Sequence, residues 1–130
     1  QAIKAGVKKF IFISTIGVNG SKTEELPFIN TDKPKPHSPY AISKYEAELG
    51  LQKITHNSSM KLIIIRPPLI YNINAPGNIE RLKNIVELGL PLPFLGIKNK
   101  RSIISIENFT DLILKSIKRD GCKMIEMCHF

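Results

Sequence analysis

Two short, unbroken apolar runs organise the chain: Phe10-Ile-Phe-Ile13 and Leu62-Ile-Ile-Ile65. Both are β-branched or aromatic and neither alternates with polar residues, the pattern of a strand covered on both faces in a parallel sheet. The second extends from Met60 to Arg66 and stops at Pro67-Pro68, because proline cannot donate to a ladder. Ahead of the first run, residues 1–9 read as the last turns of a helix with Gly6 as its stop. Between the runs, a loop from Gly17 to Pro39 gives way to a helix. Pro39 suits its first turn, Ile42, Tyr45, Leu49 and Ile54 recur near helical spacing, and Asn57-Ser-Ser ends it.

A loop over Asn72 to Asn78 then precedes a helix from about Ile79 to Leu88. The segment Leu90-Pro-Leu-Pro-Phe-Leu-Gly96 is too rich in proline for a central strand and reads as an edge. Lys98 to Arg101 is a basic turn, and Ser102 to Ile106 is a short strand. The last helix runs from Glu107 to Ile117, with Phe109, Leu112, Ile113 and Ile117 on one side. Strand and helix alternate, which predicts an α/β fold: a parallel sheet with helices on its faces.

Composition narrows the function. The 130 residues are 42% hydrophobic and 23% charged, unlike a disordered tail, and the longest apolar runs are far too short to cross a bilayer. The formal charge of +8 is a weak clue to a partner. Lys, Ile and Asn are all abundant, so compositional bias accounts for the lysines as readily as a nucleic acid does. Basic residues are not interleaved with aromatics, and no zinc or helix-turn-helix pattern occurs, so neither a nucleic-acid nor a membrane partner is expected. Cys122 and Cys128 form no disulfide framework and no CxxC pair, which fits a reducing, cytoplasmic setting. His37, His56 and His129 are scattered without metal-ligand spacing, so no metal is expected.

In parallel sheets ligands gather at the carboxyl ends of strands. Here those ends carry Ser14-Thr15 and Arg66-Pro-Pro. The helix after the long loop opens with Tyr40-Ala-Ile-Ser-Lys44, and residues i and i+4 share one helical face. A cation beside a phenol favours its anion and suits it to acid/base work. A Thr15 hydroxyl at the neighbouring strand end would then hold a substrate oxygen between itself and Tyr40. Tyr-x-x-x-Lys alone is a weak signal in a lysine-rich chain. The ordered set of strand, Ser-Thr, loop, Tyr-x-x-x-Lys helix and Arg-Pro-Pro strand is much stronger.

That set resembles the extended short-chain dehydrogenase/reductase family, in particular its NAD-dependent nucleotide-sugar epimerases and reductases. FIFISTIGVNG resembles the family's strand with its catalytic Ser/Thr, SPYAISKYEAE its active-site helix, and IIIRPPLIYN its Arg-Pro strand and loop. PGNIERL and KNKRSIISIENFTDLI resemble its nucleotide-binding helix start and late arginine motif. The resemblance implies a Rossmann-type doubly wound sheet. Residues 1–72 would be the C-terminal half of that domain, and 73–130 part of the nucleotide-sugar-binding region.

It further implies roles for named residues. Tyr40 would be the acid/base on the sugar 4-hydroxyl, with Thr15 hydrogen-bonded to the same oxygen. Lys44 would favour the phenolate and hold the nicotinamide ribose of NAD or NADP. Backbone at Pro67 would face the nicotinamide, and Leu69 the substrate. Asn78 would bind diphosphate or uridine at a helix start, though a plain helix cap reads nearly as well. Arg101 would bind diphosphate, its alternative being a solvated charge in a basic run.

The implied substrate is a UDP-hexose in surface-polysaccharide synthesis, handled by a 4-epimerase or 4-ketoreductase that forms homodimers through the helix from Tyr40 to Ile54. Ile16 and Gly17 stand where the related 4,6-dehydratases carry an acidic pair, which disfavours dehydration. The family's G-x-x-G-x-x-G dinucleotide turn occurs nowhere in the sequence, so the chain reads as a fragment, inactive alone. The competing readings are a non-catalytic nucleotide- or protein-binding relative, or the remnant of a split gene.

Overall fold

Strand β2 (Lys61–Arg66) is the centre of the computed structural model, which describes residues 1–23, 26–72, 78–89, 102–118 and 124–127. It runs parallel to β1 (Lys9–Ile13), with Phe10 opposite Leu62 and Ile13 opposite Ile65. On its other edge it runs parallel to β5 (Met124–Met127), with Ile64 opposite Ile125. Every residue from Leu62 to Arg66 is buried, which is why the run carries no polar alternation.

The two faces of β2 meet different partners. Ile63 and Ile65 join Ile104 of β4 (Ile103–Ser105) and Phe109 of α3 (Ile106–Lys118) in the core, with Ile11, Ile70, Leu112 and Ile113 packed around them. Successive strand side chains alternate, so Leu62, Ile64 and Arg66 turn to the opposite face, where α1 (Pro39–His56) packs. β1 departs from the expectation of a strand covered on both faces. It is half-buried, and Ile13 is 41% exposed, because among the described residues β1 pairs along one edge only.

Local chemistry sets the limits of α1. Ser38 keeps an extended backbone while its Oγ accepts the Ala41 N–H at 3.1 Å, and Pro39 occupies the first turn. Lys53 and His56 lie in the last turn, near the unpaired carbonyls. Ala41, Glu48 and Thr55, seven apart, form its buried stripe. Residues 1–7 make hydrogen-bonded turns, not an assigned helix, and Gly6 closes them at a φ of 72°. The two later helices fall where the sequence puts them, as α2 (Asn78–Glu87) and α3. The strand expected over Ser102 to Ile106 is shorter, because Ser105 Oγ accepts the Asn108 N–H and starts α3 early.

β3 (Leu69–Tyr71) and β5 were not foreseen. β3 pairs with β4 in a second parallel sheet, Ile70 opposite Ile104. Pairing therefore crosses residue 72 in both directions, forward from β3 to β4 and back from β5 to β2. The edge expected at 90–96, and Cys122, Cys128 and His129, lie outside the described residues.

One charged cluster is sealed between β2 and α1. Arg66 Nε donates to Glu48 Oε1 at 3.0 Å, Nη2 donates to Oε2, and Nη1 donates to Asn19 Oδ1 at 3.0 Å. Arg66, Glu48 and Asn19 are each at most 2% exposed. Such a pair repays its desolvation only when the planar fork meets well-placed acceptors, as Nε, Nη1 and Nη2 each do here. Removing one partner strands the other charge. Glu48→Ala is therefore expected to destabilise the fold by about 3–5 kcal/mol in chemical denaturation. Asp111→Ala, which breaks the exposed Asp111–Lys115 pair at 2.7 Å, should cost no more than about 0.5 kcal/mol.

Candidate active site

The carboxyl end of β1 is where the chain first becomes chemically interesting. Ser14 N–H donates to Ile65 O at 2.7 Å and carries the ladder one residue past the strand. Thr15 is still extended, at φ −151° and ψ 147°, and its Oγ1 accepts the Gly17 N–H at 3.2 Å. That bond caps a single 3-10 turn, Ile16–Val18, closed by Val18 N–H to Thr15 O and Asn19 N–H to Ile16 O. Ile16 N–H in turn donates to Pro67 O at 3.0 Å, so the Thr15 turn is fastened to the segment leaving β2. With Oγ1 occupied as an acceptor, the Thr15 O–H is left to donate.

The start of α1 packs against this turn. A Cβ placed on Gly17 would lie 3.6 Å from both Ala41 Cβ and Thr15 Oγ1, ordinary van der Waals contact, so helix and turn pack directly against each other here. Tyr40, beside Ala41, is 60% exposed. One turn on, Lys44 Nζ donates to Ile13 O at 2.9 Å, and it sits 4.9 Å from the Phe12 ring centre and 5.8 Å from that of Tyr40. Both lie within cation–π range. The ammonium thus bridges the end of β1 and the tyrosine, with two N–H groups beyond the one given to Ile13. A recess lined in part by Asn19, Lys22, Lys33 and Lys35 adjoins the turn and gives this end a positive surface.

Thr15, Tyr40, Lys44 and Pro67 therefore meet at one end of the β1–β2 pair. Pro67 is buried, whereas Leu69 opens β3 with its side chain 57% exposed. Asn78 is the first residue of α2, and Arg101 lies outside the described residues. The sequence reading passed over Asn19 and Glu48, which tie these elements to Arg66. The sequence carries one signal for the cluster, a charge ending an otherwise apolar strand, and it marks Arg66 and not its partners.

Comparison with known proteins bears on the fold and the family. Over 119 residues, 90% of its length, the chain is 46% identical to a UDP-glucose 4-epimerase of Vibrio cholerae, and it spans 36% of that relative. Among solved structures it superposes on the Thermotoga maritima UDP-glucose 4-epimerase bound to UDP-glucose with a TM-score of 0.74 and 24% identity, covering 98% of this chain and 43% of that one. The dTDP-glucose 4,6-dehydratase of Streptomyces venezuelae with NAD bound gives 0.77 at 22% identity, covering 97% and 40%. These two show a shared fold, a Rossmann-type α/β arrangement. Residues 1–124 match the NAD dependent epimerase/dehydratase family, and with the identity to the Vibrio relative this places the chain in that family.

Proposed function

We propose that the protein carrying this chain is a UDP-hexose 4-epimerase that uses NAD or NADP, with Tyr40 as its acid/base. The observation that carries this reading is Lys44, whose ammonium is held by the Ile13 carbonyl against the Tyr40 ring, beside the Thr15 turn. The Vibrio relative supports epimerisation over 4-keto reduction. Ile16 and Gly17, where dehydration would need an acidic pair, support it over elimination.

The residues present fit the nicotinamide end of a dinucleotide. Lys44 keeps N–H donors for ribose hydroxyls, and the buried Ser14 Oγ has no hydrogen-bond partner among the described residues. Bound there, the cofactor would supply hydride removal and return at the sugar carbon. Tyr40 would take the proton from the sugar 4-hydroxyl and later give it back. The Thr15 O–H would donate to the same oxygen and hold it in place. The Lys44 cation would stabilise negative charge developing on the phenol oxygen as the proton moves. Asn78 would hold the diphosphate or uridine of the substrate, Arg101 the diphosphate, and Leu69 would face the substrate phosphates or sugar. A role in surface-polysaccharide synthesis follows from the same resemblance.

Replacing the phenol tests the chemistry. In the protein carrying this chain, Tyr40→Phe is expected to lower kcat by about 10²–10⁴-fold while UDP-glucose affinity by calorimetry stays within about twofold, because only the proton-transfer group is lost. Near-parental turnover would remove Tyr40 from the mechanism.

Assembly is part of the same proposal. α1 leaves Ile42 and Leu49 exposed on one flank of its buried stripe and Ile54 on the other, apolar surface that a second copy of the protein is proposed to cover. Light scattering is expected to give a dimer, and a clean monomer would count against it.

The 130 residues contain no glycine-rich dinucleotide turn, so the isolated chain is expected to lack turnover. Its dinucleotide affinity should be weaker than a complete site's by about a thousandfold or more. Calorimetry with NAD⁺ and NADP⁺ checks this, and micromolar binding by a soluble monomer would contradict it.

A further inference from the structure

We infer that Arg66, through Asn19 and Glu48, is a positioning residue that sets the reacting groups against one another. The inference rests on the reading of Tyr40 and Lys44 as the reacting pair. Three separate elements bring chemistry to this end of the sheet. They are the turn that begins at Thr15, the helix that carries Tyr40 and Lys44, and the backbone that leaves β2 at Pro67. A single guanidinium touches a residue of each. Arg66 is itself the last residue of β2, directly before Pro67. Its Nη1 holds Asn19, the C-terminal cap of the Thr15 turn. Its Nε and Nη2 hold Glu48, one helical turn beyond Lys44 and two beyond Tyr40.

The bonds leave little freedom. Asn19 spends its oxygen on Arg66, its Nδ2 donates to Ile29 O at 3.4 Å, and its backbone N–H closes the turn onto Ile16. The fork is planar and its donors diverge at fixed angles, so moving Glu48 moves the bond to Asn19 as well. With all three side chains excluded from water, no solvent bond can replace a lost one. Arg66 and Glu48 are sealed from solvent and Asn19 is 2% exposed, so the cluster acts through the elements it ties and not on substrate.

Asn19→Ala is the informative change, because it cuts the tie to the Thr15 turn and leaves the Glu48–Arg66 pair intact. In the protein carrying this chain, it is expected to lower kcat for UDP-glucose epimerisation by about tenfold or more, the scale set by sub-ångström to ångström misplacement of reacting groups. KM should stay within about twofold of the parent. Amide hydrogen exchange should quicken in residues 16–19 while β2 stays protected. Asn19→Asp keeps the acceptor for Arg66 but loses the Nδ2 bond to Ile29 O, and is expected to keep more of kcat than Asn19→Ala. Arg66→Lys, which keeps the charge but loses the fork to both Asn19 and Glu48, should lower kcat at least as far as Asn19→Ala.

The inference is overturned if folded Asn19→Ala keeps kcat within twofold, or if its loss appears in KM alone. Should Asn19→Ala not fold, Arg66→Lys decides by the same kcat and KM criteria. Tyr40→Phe, run alongside, separates the two readings. If that variant is active, the proposed chemistry fails. If it is inactive while Asn19→Ala is unimpaired, only the positioning role fails.

Discussion

A guanidinium removed from water must be met by acceptors fixed in the right places, and the order of this fold follows from how Arg66 is met. Burying the charge unpaired would cost several kcal/mol, so the folded chain has to bring Glu48 and Asn19 to it together. Doing so requires α1 to lie across the end of β2 and the turn after β1 to close beneath it. The apolar contacts of Ile63 and Ile65 against Ile104 and Phe109 supply most of the driving force, but they are non-directional. The charged cluster supplies direction, because a fork tolerates little displacement.

From this arrangement the chemistry of the open end follows. A parallel sheet exposes the carboxyl ends of its strands to ligands, and here those ends are capped by Thr15 on one side and Pro67 on the other. α1 packs on the turn at Gly17 and Ala41, and Lys44 reaches the Ile13 carbonyl. An ammonium anchored in that way lies beside Tyr40 before any substrate arrives, and preorganised charge of this kind needs no rearrangement when a proton moves.

Much of this was legible in the sequence where the determining forces are local. The spacing of Tyr40 and Lys44 puts them on one face regardless of the rest of the fold, and Pro39 marks the helix start by its suitability for a first turn. β2 declared itself by an apolar run ended by two prolines. β3 and β5 were not legible, because a strand of three or four residues has no signature apart from its partner. β5 contains Glu126 and exists as a strand because its backbone bonds to β2, far back in the chain. β1 looked like a doubly covered strand, but periodicity reports the character of side chains and not how many neighbours the strand pairs with. The cluster at Arg66 was half legible: the charge stood out on its strand, while its partners, distant in sequence, looked like ordinary polar residues.

The account's central claim is that Tyr40 and Thr15 converge on one substrate oxygen with Lys44 beside them. The most direct test is a crystal structure of the protein carrying this chain with NAD and UDP-glucose bound. The account predicts Tyr40 Oη and Thr15 Oγ1 each about 2.6–3.2 Å from the sugar 4-oxygen, with the Lys44 ammonium still on Ile13 O. A sugar whose 4-oxygen is out of reach of both hydroxyls, or a Tyr40 phenol on the opposite side of the sheet from Thr15, would contradict it.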